Sequence, residues 1–210
     1  MQRNVNYKRY RVGNYYVSNV EIKDLVKALI GISLAFSVAF TGGRVLSTEF
    51  MFAFVMSLLV VGIGFIFHEF AHKILAQKYG CLAEFRSNDS MLFIAVLIAF
   101  SGFIFIAPGA VMIGGRRITR EENGKISAAG PLTNIVLALI FYGLSLILRG
   151  DFIPAVMEYG FMLNGLLAAF NMLPVGNFDG RKVLKWNKLV WVVMMLVSAI
   201  LFGMAYMTIF

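Results

Sequence analysis

The sequence predicts an all-α polytopic membrane protein of five to six transmembrane helices with a short re-entrant helix/β segment among them, and three observations carry that prediction. Of 210 residues, 60% are hydrophobic and only 14% charged, and a mean hydropathy of +0.79 lies far outside the range of a water-soluble domain. Six apolar stretches, at residues 25–40, 50–76, 91–113, 126–148, 152–173 and 189–210, are each long enough to be weighed as a span. The third is interrupted by Gly102, Pro108, Gly109, Gly114 and Gly115, punctuation that suits a chain turning back rather than a plain spanning helix.

In chain order, residues 1–24 read as a basic cytoplasmic tail, with Arg3, Lys8, Arg9 and Arg11 interleaved with Tyr7, Tyr10, Tyr15 and Tyr16, types that settle at a membrane interface. Residues 25–210 read as a single transmembrane domain. Ser18 and Glu21 have the spacing of a capping box, so a helix is predicted from near Asn19 into the first apolar stretch. Ser37-Val38-Ala39 resembles a signal-peptide cleavage site, but the polar lead before it is long for such a segment.

Charge decides which stretches cross. The net charge of +8 sits in loops between apolar stretches, where it anchors the chain to a lipid bilayer rather than to nucleic acid. Basic residues follow the second stretch (Lys73, Lys78, Arg86), the third (Arg116, Arg117, Arg120, Lys125) and the fifth (Arg181, Lys182, Lys185, Lys188). If all six stretches crossed, the two most basic late loops would face outward, against the positive-inside tendency. A re-entrant third stretch, a short helix over 91–101 and an extended return over 103–112, puts every basic loop inside. Such a returning strand could pair with an extended substrate.

The two histidines of the chain fall in His68-Glu69-Phe70-Ala71-His72, inside the second stretch. Positions i and i+4 share a helix face, so both rings can bind one metal ion while Glu69 reaches water beside it. A cluster of interhelical polar glue is the plainer alternative, yet one ionisable group near the bilayer centre costs roughly 2.5–3.5 kcal/mol and here His68, Glu69, His72 and Lys73 crowd into six residues. Cys81 is alone, so neither a disulfide nor a thiolate metal site is available and a carboxylate must complete the ligands. Glu21, Asp24, Glu84, Asp89, Glu121 and Glu122 lie in polar segments, and Glu49, Asp151 and Glu158 fall near the outer surface. Asp179 remains, just past the inner end of the fifth stretch, where Pro174 and Gly176 break the helix. At about 1.5 Å per residue, His68 lies some 27 Å along its helix, near the inner edge of a hydrocarbon core about 30 Å thick. Two crossings between His68 and Asp179 bring them together, whereas three part them.

These residues resemble the site-2 protease family of intramembrane zinc metalloproteases. The His68-Glu69-Phe70-Ala71-His72 run matches its H-E-x-x-H motif; Asn171, Pro174, Asp179 and Gly180 match its N-x-x-P-x-x-x-x-D-G pattern; and Ala129-Gly130-Pro131-Leu132-Thr133-Asn134 is similar to its G-P-x-x-N element. The resemblance implies one Zn2+ held by His68, His72 and Asp179, with Glu69 as general acid and base and Asn134 stabilising the reacting carbonyl. It further implies transmembrane protein substrates cut near the cytoplasmic side of the cell membrane of a prokaryote. The oligomeric state has no sequence signal. A zinc transporter and a catalytically silent membrane scaffold are the alternatives; transport predicts further ligands toward the far side, where the stretches offer little beyond Glu49 and Glu158, and the intact Glu69 argues against silence.

Overall fold

The structure is a computed structural model that describes residues 7–13, 15–104, 108–150 and 152–209. Strands β1 (Arg9–Val12) and β2 (Tyr15–Ser18) form an antiparallel hairpin, and helix α1 (Asn19–Phe40) begins on the expected capping box, Ser18 accepting from Glu21 N. Helix α2 (Thr48–Lys78) follows, then strand β3 (Leu82–Ser87), helix α3 (Asp89–Ala99) and strand β4 (Gly109–Gly114). Helices α4 (Arg120–Ile147), α5 (Phe152–Asn171), α6 (Asp179–Trp186) and α7 (Lys188–Ile209) complete the chain. Among the described residues α2, α4, α5 and α7 are long and apolar enough to cross a bilayer.

The first stretch is built into the bundle: Ala28, Ile32 and Phe36 of α1 are buried in one core with Val61 and Phe65 of α2, Ala138 of α4 and Leu163 of α5. Helix α3 is different. Eleven residues rise only about 16 Å, half of what a span needs. After it Gly102 takes φ +79, a backbone that favours glycine and reverses the chain. The return is exact in register: β4 pairs antiparallel with β3 from Leu82↔Gly114 to Ser87↔Gly109, and Asn88 N donates to Pro108 O at 2.8 Å. The third stretch therefore leaves and re-enters at one point, as a re-entrant segment must. The helix covers Asp89–Ala99 instead of 91–101 because Asn88 caps it, accepting from Met91 N; of the extended return, residues 105–107 lie outside the described residues.

Several polar segments are more ordered than their composition suggested. Glu21 and Asp24 are buried rather than solvated: Glu21 pairs with buried Lys73 and accepts from Phe85 N at 3.0 Å, tying α1 to α2 and β3. Helix α4 starts six residues before the apolar stretch because Thr119 and Glu122 form a second capping box. Asp179 sits not in a loop but at the first turn of α6, whose Val183 is buried while Arg181 and Lys185 are exposed. Only two long helices, α4 and α5, separate His68 from Asp179, which places both residues at one end of the bundle.

Candidate metal centre

His68 and His72 lie one turn apart on the face of α2 that packs against α4. Their rings stand nearly perpendicular, with centroids 4.7 Å apart and Nε2 atoms 3.0 Å apart. Asp179 brings Oδ2 to 2.9 Å from His72 Nε2 and 3.5 Å from His68 Nε2. All three side chains are buried, and they form the one candidate metal-binding group among the described residues.

Proton placement shows what this cluster suits. His72 Nδ1 lies 2.7 Å from the Ile126 carbonyl oxygen. A carbonyl can only accept, so Nδ1 carries the hydrogen and Nε2 offers a lone pair. His68 Nδ1 lies 2.5 Å from Asn134 Oδ1, the same polarity. Two imidazole lone pairs and a carboxylate oxygen then face one another with no hydrogen to share, which a cation between them would reconcile. Tetrahedral ligands about 2.0–2.1 Å from zinc would stand roughly 3.3 Å apart, and the three observed separations bracket that value. Lys182 Nζ lies 3.4 Å from Asp179 Oδ1, which leaves Oδ2 toward the two imidazoles.

Two glycines make the convergence possible. A Cβ on Gly130 of α4 would come 2.3 Å from His72 Nε2 and 2.7 Å from His68 Nε2, filling the space between the donors. A Cβ on Gly180 would come 2.0 Å from the Met172 carbonyl oxygen, so only glycine lets α6 abut the end of α5 and present Asp179. Glu69 lies beside the cluster with Oε2 buried and unpartnered. It lines, with His68, His72 and Asp179, a cleft of about 870 Å³ whose wall includes β4.

Of the five residues singled out by sequence, four meet at this cleft. Asn134 stands behind His68 instead: its Nδ2 serves Gly64 O at 3.1 Å and Asn164 Oδ1 at 3.0 Å, so it has no donor free for a reacting carbonyl. The sequence reading also passed over Asn164, whose signal was a polar side chain within the fifth apolar stretch. The Ile126 carbonyl left none, being backbone.

Peptidase family M50 matches residues 56–153, which include His68, Glu69, His72 and Asn134 and stop short of Asp179. A Methanocaldococcus jannaschii protein named as a candidate zinc metalloprotease is 44% identical over 178 residues, 84% of this chain and 89% of the relative. Rip3 of Mycobacterium tuberculosis, also named as a candidate zinc metalloprotease, is 29% identical over 122 residues, 56% of this chain and 27% of that protein. A second M. jannaschii protein, named as a zinc metalloprotease, is 24% identical over 173 residues, 82% of this chain and 45% of its own length. No solved structure matches the chain. Identity of that extent across most of two chains, in a bundle of membrane-length helices, leaves a plain conclusion: the chain belongs to peptidase family M50, the site-2 protease family.

Proposed function

We propose that the chain is a zinc-dependent intramembrane endopeptidase that hydrolyses peptide bonds in transmembrane segments of other membrane proteins. His68, His72 and Asp179 hold one zinc per chain, and Glu69 is the general acid and base. The observation that carries this reading is the meeting of three lone-pair donors beside an unpartnered buried carboxylate, inside a cleft among membrane-length helices.

Zinc bound there supplies a Lewis acid that brings the pKa of water toward neutrality and polarises the scissile carbonyl. Glu69 Oε2 takes the proton of the attacking water and returns it to the leaving amine, so one carboxyl acts twice. Lys182 occupies the second oxygen of Asp179 and keeps Oδ2 turned to the imidazoles. A helical substrate hides its peptide bonds in its own hydrogen bonds and must unwind first. Strand β4 offers the unwound segment a partner: one edge pairs with β3, and the strand lines the cleft.

The basic residues support an orientation with the N-terminus and the site toward the cytoplasm: Arg116, Arg117, Arg181 and Lys182 all belong to the end of the bundle that carries Asp179. In that orientation residues 1–24 lie on the cytoplasmic face and 25–210 make one metalloprotease domain. The archaeal and bacterial relatives support the cell membrane of a prokaryote.

Incubating the purified protein with a transmembrane substrate, with and without chelator, tests the reading. Cleavage should require zinc, and Glu69→Gln should lower turnover by roughly 100 to 10,000-fold while zinc stays bound. Bound zinc without cleavage in the wild type would refute proteolysis and favour transport or scaffolding.

A further inference from the structure

The geometry points to Asn134 and Asn164 as a positioning relay that sets the tautomer of His68, so that its Nε2 lone pair faces the metal position; this rests on the metal-site reading above. The chain of contacts begins at the Gly160 carbonyl on α5, one helix away from Asn134. Asn164 Nδ2 lies 2.9 Å from Gly160 O in α5. Since that oxygen can only accept, the amide nitrogen must point to it, and Asn164 Oδ1 must face Asn134. Asn134 Nδ2 accordingly donates to Asn164 Oδ1 at 3.0 Å, and its second hydrogen goes to Gly64 O at 3.1 Å. Neither partner would tolerate the flipped amide. Asn134 Oδ1 is thereby left toward His68 Nδ1, 2.5 Å away, and an oxygen there requires the hydrogen on Nδ1.

Each link is dry. Asn134 and Asn164 are both 0% exposed, so water cannot substitute for a missing partner. Packing holds the chain in place as well, since a Cβ on Gly64 would come 2.5 Å from Asn164 Oδ1. The relay spans three helices: Gly64 and His68 from α2, Asn134 from α4, Gly160 and Asn164 from α5. His72 needs no such device because the Ile126 carbonyl fixes its ring directly. Outer partners of this kind orient a ligand ring and raise its basicity without touching substrate. Asn134 and Asn164 are therefore positioning residues.

His68 and His72 are the only histidines in the chain, which makes the test clean. In metal-free, 15N-histidine-labelled protein in detergent, both rings should show the pattern of a hydrogen-bearing Nδ1. Asn134→Leu should abolish that pattern for one ring and weaken zinc binding, measured by chelator competition, about 10 to 100-fold. Asn164→Leu should move both readouts the same way by less, and decides the matter if the first variant does not fold. Unchanged tautomers and zinc affinity in the leucine variants overturn the relay; unchanged affinity with lost cleavage would return Asn134 to the reacting carbonyl. Failure of the wild type to bind zinc would instead overturn the metal site itself, and that result is separable because the tautomer pattern is read without metal.

Discussion

Helices α2 and α7 are both long and strongly apolar, with mean hydropathies of 2.6 and 2.3 in their spanning windows, yet they are held in the bundle by different physics. Helix α7 has no Asp, Glu, His, Lys or Arg after Lys188. It buries one narrow stripe, Met194, Ser198, Leu201 and Ala205, and Ser198 Oγ donates to its own helix at Met194 O. Trp191 Nε1 to Met172 O, at 2.9 Å, is a tie to another element at its polar end. The second half of α2 instead buries His68, Glu69, His72 and Lys73, and three of these reach other elements: Asn134 and Ile126 of α4, and Glu21 of α1. Apolarity put both helices in the membrane. Buried polar groups with partners on other helices mark the one proposed to do chemistry.

If that distinction holds, the smallest steric change at the polar end of α2 should be the most damaging. Gly130→Ala adds one methyl to α4 at a point 2.3 Å from His72 Nε2, and both the histidine and the opposing helix are held by other contacts. Zinc affinity should fall by more than tenfold and cleavage with it, while the helical content stays that of the wild type; the size follows from the sensitivity of metal sites to displaced ligands. Zinc titration of the variant checks it. Binding at wild-type strength would mean that the rings can shift freely and that the α2–α4 contact is not a cradle.

The next largest effect concerns stability. Lys73 and Glu21 are 2% and 1% exposed, and Glu21 also accepts from Ser18 N and Phe85 N. Removing one partner leaves a buried charge, so Lys73→Met should cost about 3–5 kcal/mol in unfolding free energy. The double variant Lys73→Met with Glu21→Gln should recover most of that loss, since neither charge is then stranded. Denaturation in detergent, followed through both variants, separates the outcomes: equal losses in the single and double variants would show that packing, not charge, ties α1 to α2.

What could be read from sequence follows the same division. The spacing of His68 and His72 and the position of Asp179 after a helix break were legible because metal ligation restricts residue type and separation so tightly. The turn-back of the third stretch, a short helix and a returning strand, was legible from its glycines and from loop charge. Helix α6 was not, because eight residues with Val183 as the one buried large apolar side chain and several lysines and arginines have the composition of a loop. Burial of Glu21 was likewise hidden, since its partner Lys73 lies 52 residues away and nothing local pairs them. Asn134 was recognised by its motif, but its amide partners, Gly64 and Asn164, lie on other helices and left no local signal. Local chemistry shows in sequence; which helix supplies the next partner does not.

The smallest expected effect lies on α7, and it guards the comparison against a trivial explanation in which any change in a long apolar helix is harmful. Leu196 is 57% exposed and lies off the buried Met194, Ser198, Leu201 and Ala205 stripe. In the membrane its side chain meets lipid tails, which close over a truncated residue and leave no cavity, so Leu196→Ala loses neither a fixed packing partner nor a hydrogen bond. The unfolding free energy should change by no more than about 0.5 kcal/mol, and zinc binding and cleavage should match the wild type. A change of several kcal/mol would place a partner on that face and make α7 as tightly specified as α2, and the contrast between the two helices would then reflect the neighbours each one has rather than the groups each one buries.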